Sequence, residues 1–283
     1  MIPERVSNWL QEQGFGAVVR QQAASGGCIN NGFSLHTSSG DNFFLKTNSH
    51  APEDLFAREA EGLKELASGP GPRVPQTYLV GADFLLLEDL QPSPRNAEYW
   101  PALGRQLAAL HERTQAQFGF AHDNYIGSTL QPNPMMDDGH AFFAEKRLLF
   151  QAHLAQDKGL LNSGEVSQVE ALAARLPDLV PAQDASLLHG DLWGGNAISD
   201  AQGAPALIDP AVHYGWAEAE LGMTRLFGGF DPSFFHAYVE ARPLEPGWEG
   251  RLPIYNLYHL LNHLNLFGRG YYSQVTGILQ AFA

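Results

Sequence analysis

Hydrophobic positions change their spacing partway along this chain. In residues 3–13, Val6, Trp9 and Leu10 recur at helical spacing among polar neighbours and predict a short amphipathic helix. From Ala17 the pattern turns to short apolar runs: AVVRQQAA, CINNGFSLHT and NFFLKT, the last two joined by the turn Ser38-Ser39-Gly40-Asp41. A helical stretch, PEDLFAREAEGLKELA, interrupts these strands. Pro52 fits its first turn, and Leu55, Phe56, Leu63 and Leu66 supply its apolar face. Strands QTYLVG and DFLLLEDL follow the rigid loop GPGPRVP, and QPSPRN then ends the strand pattern.

After Asn96 the helical period dominates. EYWPALGRQLAALHERT places Leu103, Leu107 and Leu110 on one face, with His111 read as a structural residue near the end. Further helices are expected at 140–156, 164–176, from Glu218, and at 231–241, 247–267 and 270–282. Residues 117–139 are aromatic and rich in Pro, Gly and Asn; a loop this long is usually functional, and it is expected to line a substrate cleft. The pattern implies an α+β protein of two lobes. Residues 1–90 form a small, mainly antiparallel lobe, and residues 91–283 a larger, mainly helical one.

Composition narrows the classes. With 283 residues, 44% apolar and 17% charged, the chain can bury a sizeable core. No apolar run approaches the eighteen or so residues of a membrane span, so no membrane partner is expected. The first residues lack a signal-peptide pattern, and a lone cysteine, Cys28, fits a reducing cytoplasm. A formal charge of −14 argues against nucleic acid, which is bound by clustered Lys and Arg. It does not argue against a nucleotide, whose charge can be met by a metal and one lysine.

The most informative stretch is LLHGDLWGGNAISDAQGAPALIDP. Residues 186–188 read as a buried strand, and 197–199 and 206–208 as the arms of a hairpin turning at Asp200-Ala201-Gln202-Gly203. That hairpin brings Asn196 close to Asp209. Phosphoryl transfer needs a carboxylate to take the acceptor's proton and hard oxygen ligands for Mg²⁺. H-x-D-x-x-x-x-N followed by Asp after a hairpin is the arrangement protein kinases use, which makes Asp191 the candidate base and Asn196 and Asp209 the candidate metal ligands. All three could equally be ordinary turn and strand-edge residues, so the N-terminal half must decide.

That half supplies the matching parts in order. Ser25-Gly26-Gly27-Cys28 could close over phosphates or be simply a turn; it is not a Walker A loop, because no Gly-Lys-Ser/Thr follows. Lys46 ends a strand, and Glu59 lies on the following helix, as in the kinase clamp on the α- and β-phosphates of ATP. Arg58 and Glu61 read as ordinary exposed charges. Glu88, Asp89 and Leu90 would form a hinge with backbone facing the adenine.

The chain resembles the fructosamine kinase (ketosamine 3-kinase) family, a branch of the two-lobed protein-kinase-like fold beside the aminoglycoside and choline kinases. The likeness spans nearly the whole chain and rests on SGGCINNGF, FFLKTN, FGFAHDNYIG, FFAEKRL, LLHGDLWGGNA, IDPAVHYGWAEAELGMTRLFGGF and NLYHLLNHLNLFG. It implies ATP and Mg²⁺ as cofactors, Asp191 as base, Asn196 and Asp209 on metal, and Lys46 with Glu59 as phosphate clamp. It also implies Trp193 and His263 facing a sugar, and phosphorylation of the 3-hydroxyl of a ketosamine, leading to deglycation.

Two positions depart from that pattern: Gly139, where a tryptophan is expected before Phe-Phe, and Trp216, where a polar residue is common. Both are expected to affect acceptor preference. Glu220 is expected to accept backbone N–H bonds from the catalytic loop. His259 and His263 stand four apart, a spacing compatible with a metal, but no third ligand is near in sequence; His263 is the one expected to face the pocket. A monomer is expected, with a redox-sensitive Cys28-linked dimer as the alternative. Rival activities are a kinase for another amine alcohol and a non-catalytic nucleotide-binding pseudokinase.

Overall fold

The computed structural model describes residues 2–24 and 30–282. Gly26, Gly27 and Cys28, expected to cover the phosphates, lie outside the described residues. After helix α1 (Glu4–Glu12), strands β1 (Val18–Ala23), β2 (Asn31–Thr37) and β3 (Asn42–Thr47) form an antiparallel meander. Helix α2 (Leu55–Ala67) and the hairpin of β4 (Thr77–Val80) and β5 (Phe84–Glu88) follow. Spatial order in this five-stranded sheet is β1-β2-β3-β5-β4.

Alternation along β3 assigns its two faces. Phe43 and Leu45 pack with Val6 and Leu10 of α1, whereas Phe44 packs with Leu55, Phe56 and Leu63 of α2. The sheet is thus sandwiched between one helix on each side. Lys46 shares the parity of Phe44 and must point to the α2 side. Pro52 is not in the first turn of α2; it lies three residues ahead, and its carbonyl accepts from Leu55 N. A proline carbonyl in that turn still directs the helix start.

Residues 89–98 form neither helix nor strand, but they are pinned to the 200–203 turn: Ser93 N donates to Asp200 O and Asn96 N to Gly203 O. Helix α3 (Tyr99–His111) then leads to β6 (Thr114–Gln115). The expected 117–139 loop contains a small hairpin, β7 (Asn124–Ile126) and β8 (Thr129–Gln131). Helix α4 (Gly139–Phe143) continues through a π-helical segment, Ala144–Leu149, into α5 (Phe150–Asp157). Then come α6 (Ser163–Ala174), capped reciprocally by Asn162 and Glu165, and α7 (Leu176–Leu179).

Strand β9 (Ala185–Leu188), the hairpin of β10 (Ala197–Ser199) and β11 (Pro205–Leu207), and β12 (His213–Gly215) carry the central motif. β9 is the middle of a three-stranded antiparallel sheet, β12-β9-β6. Helices α8 (Ala217–Leu226), α9 (Pro232–Ala241), α10 (Trp248–Phe267) and α11 (Tyr272–Phe282) complete the fold. The main apolar core lies among these helices and beneath β9; α3 packs along α9, and α10 along α8. Among the described residues no helix is long and apolar enough to cross a membrane.

Candidate active site

Between the five-stranded sheet and the helical part lies a cleft of about 780 Å³. Lys46 reaches its wall from β3. The side chain is buried, and Nζ donates to Glu59 Oε1 of α2 at 2.5 Å and to Asp209 Oδ1. Burial alone would lower the Lys46 ammonium, but the carboxylates of Asp209 and Glu59 outweigh it and hold it raised and charged. One ammonium serves two carboxylates here. Burial therefore keeps Glu59 above the usual carboxylate range even with Lys46 beside it.

The catalytic loop leaves β9 at His189-Gly190-Asp191. Gly190 has φ +86°, and a Cβ there would stand 2.0 Å from Ala211 O, so only glycine fits. Glu220 of α8 braces this turn: it accepts from His189 N at 3.0 Å and from Gly190 N at 2.6 Å. The same carboxylate accepts from His111 Nε2, whose ring Nδ1 accepts a hydrogen bond from the Tyr238 hydroxyl at 2.7 Å. Burial would raise Glu220; the His111 and Gly190 bonds prevail and leave it lowered, hence ionised. His111 is held neutral by burial. Both expectations, a bracing Glu220 and a structural His111, match this geometry.

Asp191 lies on the cleft with its carboxyl pushed up to about 7, by burial first and the charge of Asp209 second. The Asn196 amide opposes that rise, donating to Asp191 O at 2.8 Å and Oδ2 at 3.3 Å. The β10–β11 hairpin brings the predicted pair together: Ile208 N donates to Asn196 O, and Asn196 Nδ2 lies 3.5 Å from Asp209 O. Asp209 has φ +57°, a strained conformation for a residue other than glycine.

These residues fit a hard divalent cation. Among the described residues Asn196 Oδ1 accepts no hydrogen bond, and Asp209 engages Lys46 through Oδ1, leaving Oδ2. Such a sparse donor set suits Mg²⁺, which takes one or two protein oxygens and completes its shell with phosphate and water. Among the described residues no group of three or more His, Cys, Asp or Glu is placed to hold a metal. His259 and His263 in fact face different spaces. His263 lines the cleft, whereas His259 is buried against a small cavity beneath the catalytic loop.

The remaining predicted residues also reach the cleft. Glu88, Asp89 and Leu90 line its edge, although the Glu88 carboxylate is turned to Arg73. Trp193 is 38% exposed, its indole lying over Gly195, where a Cβ would meet it at 2.2 Å. His263 Nδ1 donates to His259 O at 2.8 Å, and burial keeps the ring neutral, so Nε2 can accept a proton donor from the cleft.

Two readings need correction. Arg58 and Glu61 are not ordinary exposed charges. Arg58 is half-buried on the cleft, donating to Asp54 and Glu61 at 3.1 Å each, while His122 pairs with Glu61 at 2.8 Å. Neither Gly139 nor Trp216 borders the cleft. Trp216 is 3% exposed and stacks in the core with Phe143 and Tyr255; a Cβ at Gly139 would come within 2.8 Å of its Nε1. The two departures are neighbours: the indole at 216 fills space that a side chain at 139 would need. The cleft also takes in Tyr125, Phe227, Phe267 and Tyr271, which the sequence reading did not single out. Phe227 and Phe267 each precede a glycine at a helix end, the one signal that could have marked them.

Similarity to known proteins agrees with this assembly. A family model described as fructosamine kinase matches residues 2–283. A probable ketoamine kinase of Synechocystis sp. is 40% identical over 93% of this chain and 90% of its own length. A chloroplastic protein-ribulosamine 3-kinase of Oryza sativa subsp. indica is 36% identical over 98% of this chain and 83% of its own. The crystal structure of a candidate fructosamine-3-kinase from Thermobifida fusca superposes with a TM-score of 0.88 at 32% identity, covering 98% and 97% of the two chains. An aminoglycoside phosphotransferase at 19% identity and a TM-score of 0.64 shares the two-lobed, protein-kinase-like fold. The chain belongs to the fructosamine kinase family.

Proposed function

We propose that this protein transfers the terminal phosphoryl group of ATP to the 3-hydroxyl of a ketosamine, a sugar joined to an amine after rearrangement. What carries the reading is the meeting of Asp191, Asn196, Asp209 and the Lys46–Glu59 pair on one cleft. Relatives named ketoamine kinase and ribulosamine 3-kinase support the acceptor class.

Asp191 is the base. Its carboxyl sits near neutrality, where a group both accepts a proton readily and is ionised in a useful fraction. The Lys46 ammonium, held by Glu59, faces the phosphates, and Glu88 to Leu90 border the adenine. Asn196 and Asp209 would hold Mg²⁺, which supplies charge neutralisation on the phosphate oxygens when bound. Trp193 offers a flat face for the sugar's C–H side, and neutral His263 Nε2 accepts from a sugar hydroxyl. We place the division between the nucleotide-binding lobe and the catalytic lobe at residue 90, in the stretch without helix or strand.

The test is ATP-dependent phosphorylation of ribulosyl-lysine and fructosyl-lysine by the wild type and by Asp191→Asn. Turnover should fall on the order of 10²–10⁴-fold in the variant. Turnover of choline or an aminoglycoside, with none on either ketosamine, would move the acceptor to another amine alcohol. Mg-ATP binding without transfer to any of these would favour the pseudokinase.

A further inference from the structure

Six large hydrophobic side chains are notably exposed among the described residues, and three of them, Trp193, Phe227 and Phe267, border the same cleft. Phe227 is 39% and Phe267 50% exposed, a costly way to leave a phenylalanine unless something covers it. Their placement is built in. Phe227 closes α8 and Phe267 closes α10, and each is followed by glycine with positive φ, Gly228 at +72° and Gly268 at +83°. Two unrelated helix ends therefore converge on one point. There His263 stacks 4.8 Å from Phe227, 5.5 Å from Phe267 and 5.0 Å from Tyr271.

The electrostatics of the cleft favour a cation. The cleft is bordered by five carboxylates and by two cations, Lys46 and Arg58, both already paired with acids. The wall's own imidazole, His263, carries no charge to repel a cation. Arginines that stack on rings elsewhere use other rings: Arg225 lies over Phe235 and Trp248, and Arg269 over Tyr272. His263 packs against all three rings from within, and what remains exposed of Phe227 and Phe267 on the cleft is open to a ligand. An aromatic ring attracts a cation through its quadrupole, and best one that is weakly hydrated, such as a substituted ammonium.

We propose that Phe227, Phe267 and Tyr271 form a specificity wall that holds the substituted ammonium and alkyl arm of the acceptor, beyond the sugar. This rests on the reading of the cleft as an amine-bearing acceptor site. Trp193 orients the sugar, and the wall selects acceptors whose sugar is attached to a basic amine over those with a neutral substituent. Wall contacts form before and persist through transfer, so they act on KM more than on kcat.

The experiment measures KM and kcat for ribulosyl-lysine in the full chain and in Phe267→Ala, Phe267→Leu, Phe267→Trp and Phe227→Ala. Both alanine variants should raise KM on the order of three- to tenfold with kcat within about twofold, the range of an exposed to partly desolvated cation–π contact. Phe267→Leu keeps apolar area without the quadrupole and should stay impaired, whereas Phe267→Trp should recover. As probes, choline should inhibit competitively with the acceptor, and its neutral isostere 3,3-dimethylbutan-1-ol several-fold less. Unchanged KM in both alanine variants, a leucine variant equal to wild type, or equal inhibition by the two probes would overturn the wall. If the wild type ignores ketosamines but phosphorylates another amine alcohol, the same KM losses on that acceptor would sustain the wall while the ketosamine reading fails.

Discussion

The two ends of the cleft are built in opposite ways. At the phosphate end, Lys46, Glu59, Asp191 and Asn196 are largely buried, and each is held by charged or hydrogen-bonded partners, Lys46 by carboxylates of two other segments. At the acceptor end, Trp193, Phe227 and Phe267 stand partly in solvent; Phe227 and Phe267 are held by helix ends and ring contacts, and Trp193 by the catalytic loop that carries it over Gly195. A transferred phosphoryl group is the same in every turnover, so its groups gain from being fixed in advance. An acceptor that varies in its amine gains from apolar faces that have no hydrogen-bond geometry to satisfy. The difference teaches where mutations should strike: kcat and folding at one end, KM at the other.

The largest separation of those effects is expected from Asp191→Asn. It should remove most turnover yet leave Tm unchanged or slightly higher, because a carboxylate buried beside Asp209 is a destabilised group. Thermal unfolding alongside the kinetic assay checks this, and a large drop in Tm would mean that Asp191 holds the fold. Glu220→Gln comes next and should do the reverse. One backbone N–H of the loop would face an amide NH₂ in place of a carboxylate, costing about 3 kcal/mol. For a chain of this size that is a Tm fall of roughly 6–12 °C.

Acid sharpens the Glu220 test. Its folded pKa is lowered, so its contribution is fully present above the unfolded value of about 4.3 and is lost as pH falls from there toward the folded value. The stability gap between wild type and Glu220→Gln should narrow as pH drops below about 4. A gap constant with pH, or a loss of turnover without loss of Tm, would remove Glu220 from the bracing role.

Much of the phosphate end was legible in the sequence because strict local geometry writes itself there. Parity along β3 puts Lys46 on the face of Phe44 and α2, and a two-stranded hairpin must return Asp209 to Asn196. Gly190 is forced by the carbonyl of Ala211. The acceptor end was less legible. Phe227 ends a different helix from the one that leads through Phe267 to Tyr271, and only tertiary packing brings it to them. Strands β6 and β12, of two and three residues, are too short to show a period of two. Arg58 was misread since a residue adjacent to Glu59 on a helix lies about 100° away, and the pattern does not say that this face also meets the cleft.

Gly139 and Trp216 belong to neither end, and a smaller effect is expected of them. A methyl at Gly139 would press to 2.5 Å from Phe118 Cζ and 2.8 Å from Trp216 Nε1. Overpacking of this kind costs about 1–3 kcal/mol, more than the roughly 0.5–1 kcal/mol that alanine gains over glycine in a helix. Gly139→Ala should therefore lower Tm by a few degrees without moving KM. Trp216→Phe opens room, so the double variant should be more stable than the two single losses predict, by at least about 0.5 kcal/mol. A shift in acceptor KM would instead extend the acceptor end inward past the residues that border the cleft.

The smallest effect is expected where the two ends are tied together. Tyr125 of β7 borders the cleft and donates to Asp54 Oδ1 at 2.7 Å, joining the start of α2 to the hairpin in the 117–139 loop. Burial and then the Asp54 carboxylate push its phenol up to about 12, so it stays a donor across the working pH range. The tie is not alone, because His122 reaches Glu61 and Tyr214 reaches Glu65 along the same helix. Asp54 is also nearly half exposed, so water replaces the lost bond at little cost. Tyr125→Phe should thus cost at most about 1 kcal/mol, two to four degrees in Tm, with kcat and KM near wild type. If KM for the acceptor rises tenfold while Tm holds, the hydroxyl serves the acceptor and the boundary between the two ends lies on the α2 side of Tyr125. If kcat falls with KM unchanged, the tie instead sets the position of Glu59, and the fixed phosphate end depends on the hairpin of the larger lobe.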